Sequence, residues 1–128
     1  MTDQENIRVL IIEKDKEVVD AVKNNLENGP HDLHVLSSLN EAISLLKSEN
    51  FSIAIVGNTV ETDSPFEGLR DMVKASPMTS IILLSDLPGE EVHELSEGCG
   101  ILGHVARNIP LDGLDHLLNR FRQIAGLL

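Results

Sequence analysis

Short apolar segments alternate with longer amphipathic segments along the chain. The apolar segments are followed by turn-forming residues, and most are rich in β-branched side chains, which is typical of buried strands. They lie at residues 9–12, 33–38, 53–56, 81–84 and 101–106. The first, third and fourth are uninterrupted and the most apolar, so we expect these three strands at the centre of a sheet.

A helix is predicted after each strand, because apolar residues recur there three or four positions apart. Ser38 and Glu41 form a capping box before the second helix, and Ser64 with Glu67 predicts that the third helix begins at Ser64. Gly29-Pro30 is expected to end the first helix. The last helix is predicted to bury one apolar face, which consists of Leu114, Leu117, Leu118, Phe121 and Ile124.

Strict alternation of strand and helix indicates a parallel sheet covered by helices on both faces. Five such units predict an α/β fold of the flavodoxin-like type, in which the strand order commonly runs 2-1-3-4-5. The chain has 128 residues, without an internal repeat or a linker-like segment. We therefore expect a single domain over residues 1–128, with its core at about 8–124.

The net charge limits the kinds of partner, and the cysteine content indicates the cellular compartment. The formal net charge is −11 and the ten Lys and Arg residues form no cluster. This opposes binding to nucleic acid or to an anionic membrane, since both need a positive patch. The lone cysteine, Cys99, allows no internal disulfide, the first residues do not form a signal peptide, and the apolar runs are too short to span a bilayer. A cytoplasmic protein is expected.

In a parallel sheet the carboxyl ends of the strands meet at one edge, where functional side chains collect. The residues after four of the five strands are Glu13-Lys14, Gly57-Asn58, Ser85-Asp86 and Arg107-Asn108. The third strand therefore ends in glycine and a neutral amide where a reactive group would be expected.

These strand ends resemble those of the receiver domain of two-component response regulators. Four longer stretches resemble the same family, namely VLIIEKD, NEAISLLKSENFSIAIV, SIILLS and CGILGHVARN. The resemblance covers nearly the whole chain, about 8–124. It implies a CheY-like fold and a role in phosphorelay signalling. The family pattern is an acidic pair after the first strand, a phosphate-accepting aspartate after the third, a Thr or Ser after the fourth and Lys-Pro after the fifth.

On this resemblance Gly57 occupies the acceptor position, and glycine cannot accept a phosphoryl group. Glu13 keeps one acid of the pair, whereas Lys14 replaces the other. Ser85 keeps the hydroxyl and Arg107 the cation. Asn108 replaces the proline, which removes the usual reason for a cis peptide bond there.

The prediction is a pseudo-receiver that is not phosphorylated and is not an enzyme. Mg²⁺ binding is expected to be weak or absent, with Glu13 as the one weak candidate ligand, because a lysine about 4 Å from a divalent ion is repelled by several kcal/mol even at an effective dielectric near 20. No other cofactor is expected. We hypothesise that Lys14 or Arg107 pairs with Glu13 and fills the pocket with a built-in counter-charge.

Two other functions stay open. Asp63, Glu61 or Glu13 could replace the missing acceptor, or the strand ends could form the site of a flavodoxin-like enzyme or small-ligand binder. Simpler interpretations also exist for single residues. Glu13-Lys14 would then be a solvated turn, Arg107 a surface residue and Ser85 a hydroxyl at the start of a helix.

His104 stands where receivers often carry an aromatic residue that changes rotamer on activation; a partly buried structural histidine is the alternative. In the family, the fourth helix, fifth strand and fifth helix form the interaction face, here residues 90–97, 101–106 and 111–128. The expected partner is a protein, such as a histidine kinase or another regulator, or a second copy of this chain. Neither nucleic acid nor membrane is expected to bind.

Overall fold

Five strands form one parallel sheet in the order β2-β1-β3-β4-β5, as predicted. The computed structural model of the protein describes residues 7–26 and 31–126. Gly29-Pro30 and residues 127–128 of the proposed interaction face lie outside these residues. The elements are β1 (Ile7–Ile12), α1 (Lys16–Leu26), β2 (His31–Leu36), α2 (Leu39–Ser48), β3 (Ile53–Val56), α3 (Leu69–Ala75), β4 (Ser80–Leu84), α4 (Gly89–Leu95), β5 (Gly103–Val105) and α5 (Leu114–Ile124).

Both faces of the sheet are buried, which explains the uninterrupted apolar runs of the central strands, Val9–Ile12, Ile53–Val56 and Ile81–Leu84. Successive side chains of β1 point to opposite faces. Val9 and Ile11 pack with α1 and α5, whereas Leu10 and Ile12 pack with α2, α3 and α4. Within the described residues no helix has the length and apolar character needed to cross a membrane.

The third helix begins later than its sequence signal predicts. Ser64 Oγ accepts the backbone N–H of Phe66 at 3.2 Å, and the chain turns until α3 starts at Leu69. A local hydroxyl-to-backbone bond of this kind competes with helix formation. The predicted start at Ser64 is therefore wrong, whereas the cap at Ser38 is confirmed, since its side chain accepts the Glu41 N–H at 3.3 Å.

The last strand is shorter than its apolar run. The run at residues 101–106 yields only Gly103–Val105, paired with β4. Gly98 and Gly100, just before it, have φ of +83° and +66°, so the chain is still turning as it approaches the sheet edge.

At the other edge β2 begins at His31, two residues earlier than predicted, because it pairs along the whole of β1.

The apolar face of α5 is buried over its first two turns. Leu114, Leu117 and Leu118 are buried in the core, and Phe121 packs against it. Ile124 is 68% exposed, so the predicted apolar face ends one turn early.

Replacing Leu114 and Ile124 by alanine should therefore have different effects. Leu114→Ala is expected to lower the free energy of unfolding by about 2–5 kcal/mol, because it leaves a cavity in the core. Ile124→Ala should stay within about 0.5 kcal/mol of the wild type. Urea denaturation of both variants measures this, and equal losses would contradict the burial pattern of α5.

Candidate functional site at the carboxyl edge of the sheet

The polar residues that follow the strands lie together at one edge of the sheet. Backbone hydrogen bonds continue past the strands and fix this edge: Gly57 N–H donates to the Ile12 carbonyl at 2.9 Å and Lys14 N–H to the Asn58 carbonyl at 2.8 Å. On the other side Ser85 N–H donates to the Val105 carbonyl at 3.0 Å. The segments that carry Glu13, Gly57, Ser85 and Arg107 are therefore held side by side.

Glu13 is the buried centre of this edge, with 1% of the residue exposed. Its carboxylate accepts four hydrogen bonds, two on each oxygen. Oε1 accepts the Asn58 backbone N–H at 3.0 Å and Arg107 Nε–H at 3.2 Å. Oε2 accepts the Asp15 backbone N–H at 3.0 Å and Arg107 Nη2–H at 2.5 Å. Glu13 is thus a bonded core carboxylate and not a residue of a solvated turn.

Gly57 makes room for that carboxylate. A Cβ atom at position 57 would lie 1.9 Å from Glu13 Oε1, far inside contact distance, and 3.6 Å from Arg107 Nε. Because Glu13 is held by four hydrogen bonds, it cannot swing aside without losing them. The observed Glu13 position and a side chain at residue 57 therefore exclude each other.

Arg107 provides the counter-charge, and its side chain is only 15% exposed. Its Nη2 also donates to Asp15 Oδ2, and its backbone N–H donates to Asp86 Oδ1 at 2.9 Å. Hydrogen bonds to Glu13, and secondarily to Asp15, raise the pKa of Arg107 above its ordinary value against the opposing effect of burial. The cis peptide bond of this segment lies at Ile109-Pro110.

Lys14 lies outside this cluster. Its Nζ donates to Asp63 Oδ1 at 2.9 Å, which raises the pKa of Lys14 and lowers that of Asp63. Of the two cations hypothesised to pair with Glu13, Arg107 does so and Lys14 does not.

Ser85 is 5% exposed, and its Oγ accepts the Leu87 N–H at 3.1 Å, a bond that shapes the turn before α4. Beside it a cleft of about 310 Å³ opens between the turn that precedes α3 and the segment after β4. Asn58, Asp63, Ser85 and Arg107 line this cleft.

Solved structures of response regulator receivers share this arrangement of strands and helices. A CheY-like receiver domain protein from Methanospirillum hungatei JF-1 superposes with a TM-score of 0.78 at 18% identity, over 95% of this chain and 98% of that one. A response regulator from Thermotoga maritima gives 0.77 at 19% identity, over 93% and 99% of the two chains. The chemotaxis response regulator CheY4 of Vibrio cholerae gives 0.74 at 19% identity, over 91% and 99%.

The chain has the receiver-domain fold. No protein-family model and no curated protein matches its sequence. At identities below 20% the likeness is one of fold, so the chemistry of this receiver fold has to be judged from its own residues.

The residues at the edge do not fit Mg²⁺, which requires a shell of free oxygen ligands. Both Glu13 oxygens are used, and the cations Arg107 and Lys14 stand beside the position. Across residues 7–26 and 31–126, no group of three or more His, Cys, Asp or Glu side chains is placed to hold a metal ion.

Glu61 lies at the start of α2 and acts as its cap. Its carboxylate accepts bonds from Ser38 Oγ at 2.6 Å, from Leu39 N–H at 2.7 Å and from Asn40 N–H at 3.2 Å. Led by the Ser38 bond, these interactions lower the pKa of Glu61 to about 2. A carboxylate at this helix end also interacts favourably with the helix dipole.

His104, the expected switch position, is exposed on β5. The alternative of a partly buried structural histidine is therefore wrong. Sequence reasoning did not predict that Asp15 and Asp86 accept hydrogen bonds from Arg107, although Asp86 was one of the strand-end residues and Asp15 directly follows another, Lys14.

Glu61→Gln should weaken the fold in a pH-dependent way. A carboxylate whose pKa falls on folding contributes stability above its unfolded pKa, near 4.5, and loses it as the pH falls towards 2. The difference in unfolding free energy between wild type and Glu61→Gln should therefore be constant near neutral pH and shrink below about pH 4.5. Denaturant titrations over this range measure it. The control is Glu67→Gln, which alters an exposed glutamate whose side chain makes no hydrogen bond or ion pair with the described residues. A pH-independent difference would contradict the capping role.

Arg107→Met should lower the free energy of unfolding by about 3–5 kcal/mol, because it leaves the buried Glu13 carboxylate without its counter-charge. Combining it with Glu13→Gln should cost less than the sum of the two single effects, by about 0.5–3 kcal/mol, since the two residues form one contact. Chemical denaturation of the four proteins measures this coupling. Lys14→Met, which breaks only an exposed pair, is the control and should stay close to wild type. Additive effects of Glu13 and Arg107 would contradict the central pair.

Proposed function

We propose that the chain is a receiver-like signalling module of a two-component or phosphorelay system that works without phosphorylation. One observation carries the proposal: the Glu13 carboxylate fills the space of a side chain at residue 57, the acceptor position by resemblance, and is bonded to Arg107. The edge therefore contains a completed ion pair in place of a nucleophile.

Three requirements of phosphoryl transfer to a carboxylate are absent from this edge. Gly57 offers no nucleophile. The positive charges of Arg107 and Lys14 oppose a metal ion. The cation that would stabilise the transferred group is already bonded to Glu13 and Asp15. The loss of all three together supports a module that remains in one state, and a non-enzymatic role.

Output through protein binding is supported by the distribution of exposed apolar residues. Among the described residues, seven large hydrophobic side chains are exposed. Two of them, Leu95 and Ile124, lie within residues 90–97 and 111–128 of the face that the resemblance assigns to partners, and Leu87 and Ile109 lie just outside it. A histidine kinase, another regulator or a second copy would bind to this face. The net charge of −11 argues against nucleic acid or membrane as the partner.

An unusual acceptor is the second candidate, and only Asp63 has a position that favours it. Asp63 lines the cleft beside Arg107, although it is paired with Lys14. Glu61 is bonded to the start of α2, and Glu13 is buried with all of its bonds made.

Intact-mass spectrometry after incubation with Mg²⁺ and acetyl phosphate tests the proposal, with an ordinary receiver as the positive control. We expect no phosphate-sized gain for the wild type. Gly57→Asp alone should also show none, because Glu13 occupies the space. The fourfold variant E13D/K14D/G57D/R107K, which frees the space and restores the acidic pair, the acceptor and the lysine of the family pattern, should gain the mass. A labile gain on the wild type would overturn the proposal, and mapping would show whether Asp63, Glu61 or Glu13 carries it.

A further inference from the structure

The cleft beside the central ion pair combines unused hydrogen-bonding groups with an apolar wall. Ser85 and Asn58 supply the polar groups, and Pro65, Phe66 and Leu87 supply the apolar wall. With a volume of about 310 Å³ it is large enough for a small organic molecule.

Ser85 contributes a buried donor. Its Oγ accepts the Leu87 N–H, but the hydroxyl donates no hydrogen bond to the described part of the chain. The residue is 95% buried, and a buried hydroxyl is normally paired in both roles. An acceptor oxygen on a ligand would complete its bonding.

Asn58 contributes an amide at the same place. Its backbone is fully used, since its N–H donates to Glu13 Oε1 and its carbonyl accepts from Lys14 N–H. Its side chain, by contrast, makes no hydrogen bond with any described residue. Both residues line the cleft, and neither the Asn58 amide nor the Ser85 hydroxyl as a donor has a partner among the described residues.

The charges around the cleft favour a neutral ligand. Four carboxylates, those of Glu13, Asp15, Asp63 and Asp86, stand against the two cations Lys14 and Arg107, so the formal net charge is −2. An anion such as phosphate would meet this excess of negative charge. A cation would be repelled by Lys14 and Arg107, and each of the four carboxylates already accepts at least one hydrogen bond.

We propose that this cleft binds an uncharged amide attached to an aromatic or aliphatic body. The carbonyl oxygen accepts from the Ser85 hydroxyl, the amide group pairs with the Asn58 side chain, and the body packs against Pro65, Phe66 and Leu87. The inference deepens the proposed function, on which it rests, because it assumes that no phosphoryl group has to occupy the cleft.

The proposed binding of an uncharged amide is tested with three molecules of nearly the same shape. They are benzamide, benzoate and benzamidine, which are neutral, anionic and cationic near neutral pH. Each is titrated into ¹⁵N-labelled protein, and backbone amide shifts are followed by NMR. Benzamide should move the signals of Asn58, Ser85 and Leu87, with a dissociation constant on the order of 1 mM for so small a ligand. Benzoate and benzamidine should bind roughly tenfold more weakly.

Ser85→Ala should weaken benzamide binding roughly tenfold, since it removes the donor. Ser85→Thr, which keeps the hydroxyl, should bind as the wild type does, and so should Ser48→Ala on the distant α2. A well-dispersed spectrum shows that each variant is folded.

The inference is overturned if benzamide moves no signals around the cleft, if either charged molecule binds as tightly, or if Ser85→Ala binds normally. These results leave the proposed function intact when the wild type still takes up no phosphate. Phosphate uptake in the mass experiment overturns the proposed function even where benzamide binds.

Discussion

A carboxylate buried at the edge of the sheet sets the conditions that the neighbouring residues satisfy. Removing the charge of Glu13 from water costs several kcal/mol, and only good geometry with every lone pair used can offset this. The donors come from three places: the turn after β1, the chain after β3 and the guanidinium after β5. The same carboxylate requires that residue 57 lack a side chain. Gly57 and Arg107 are therefore parts of one constraint that joins three strand ends.

The loop between β3 and α3 is held by the same kind of bonding. Asp63 is paired with Lys14, Glu61 with the first N–H groups of α2, and Val60 N–H with the Ser37 carbonyl at 2.9 Å. The loop thus joins the end of β1 to the beginning of α2. Its acidic side chains, which from sequence alone were candidate acceptors, are used in structural bonds.

Sequence patterns revealed the layers because they reflect local geometry. Apolar runs buried on both faces and helical periodicity predicted the strand order and the helices, and turn residues located the functional edge. The sequence also contained a reason why Lys14 does not pair with Glu13, because the side chains of consecutive residues leaving a strand point to opposite sides. Glu61 was not accessible in this way, because it caps a helix that lies more than 20 residues earlier in the chain. The start of α3 was misplaced because the bond from Phe66 N–H to Ser64 Oγ imitates a cap without a helix.

The carboxylate of this edge comes from β1, whereas the resemblance places an acceptor after β3. These strands are neighbours, so a long side chain from one reaches the space that a short side chain from the other would fill. Such an exchange is difficult to reverse in single steps: an aspartate at residue 57 would meet the carboxylate of Glu13, and shortening Glu13 first would leave Arg107 without its main partner. The two positions therefore have to change together before an aspartate fits at residue 57. Beside the Glu13–Arg107 pair lie the Ser85 hydroxyl, which donates no hydrogen bond to the described residues, and the Asn58 side-chain amide, which makes none with them.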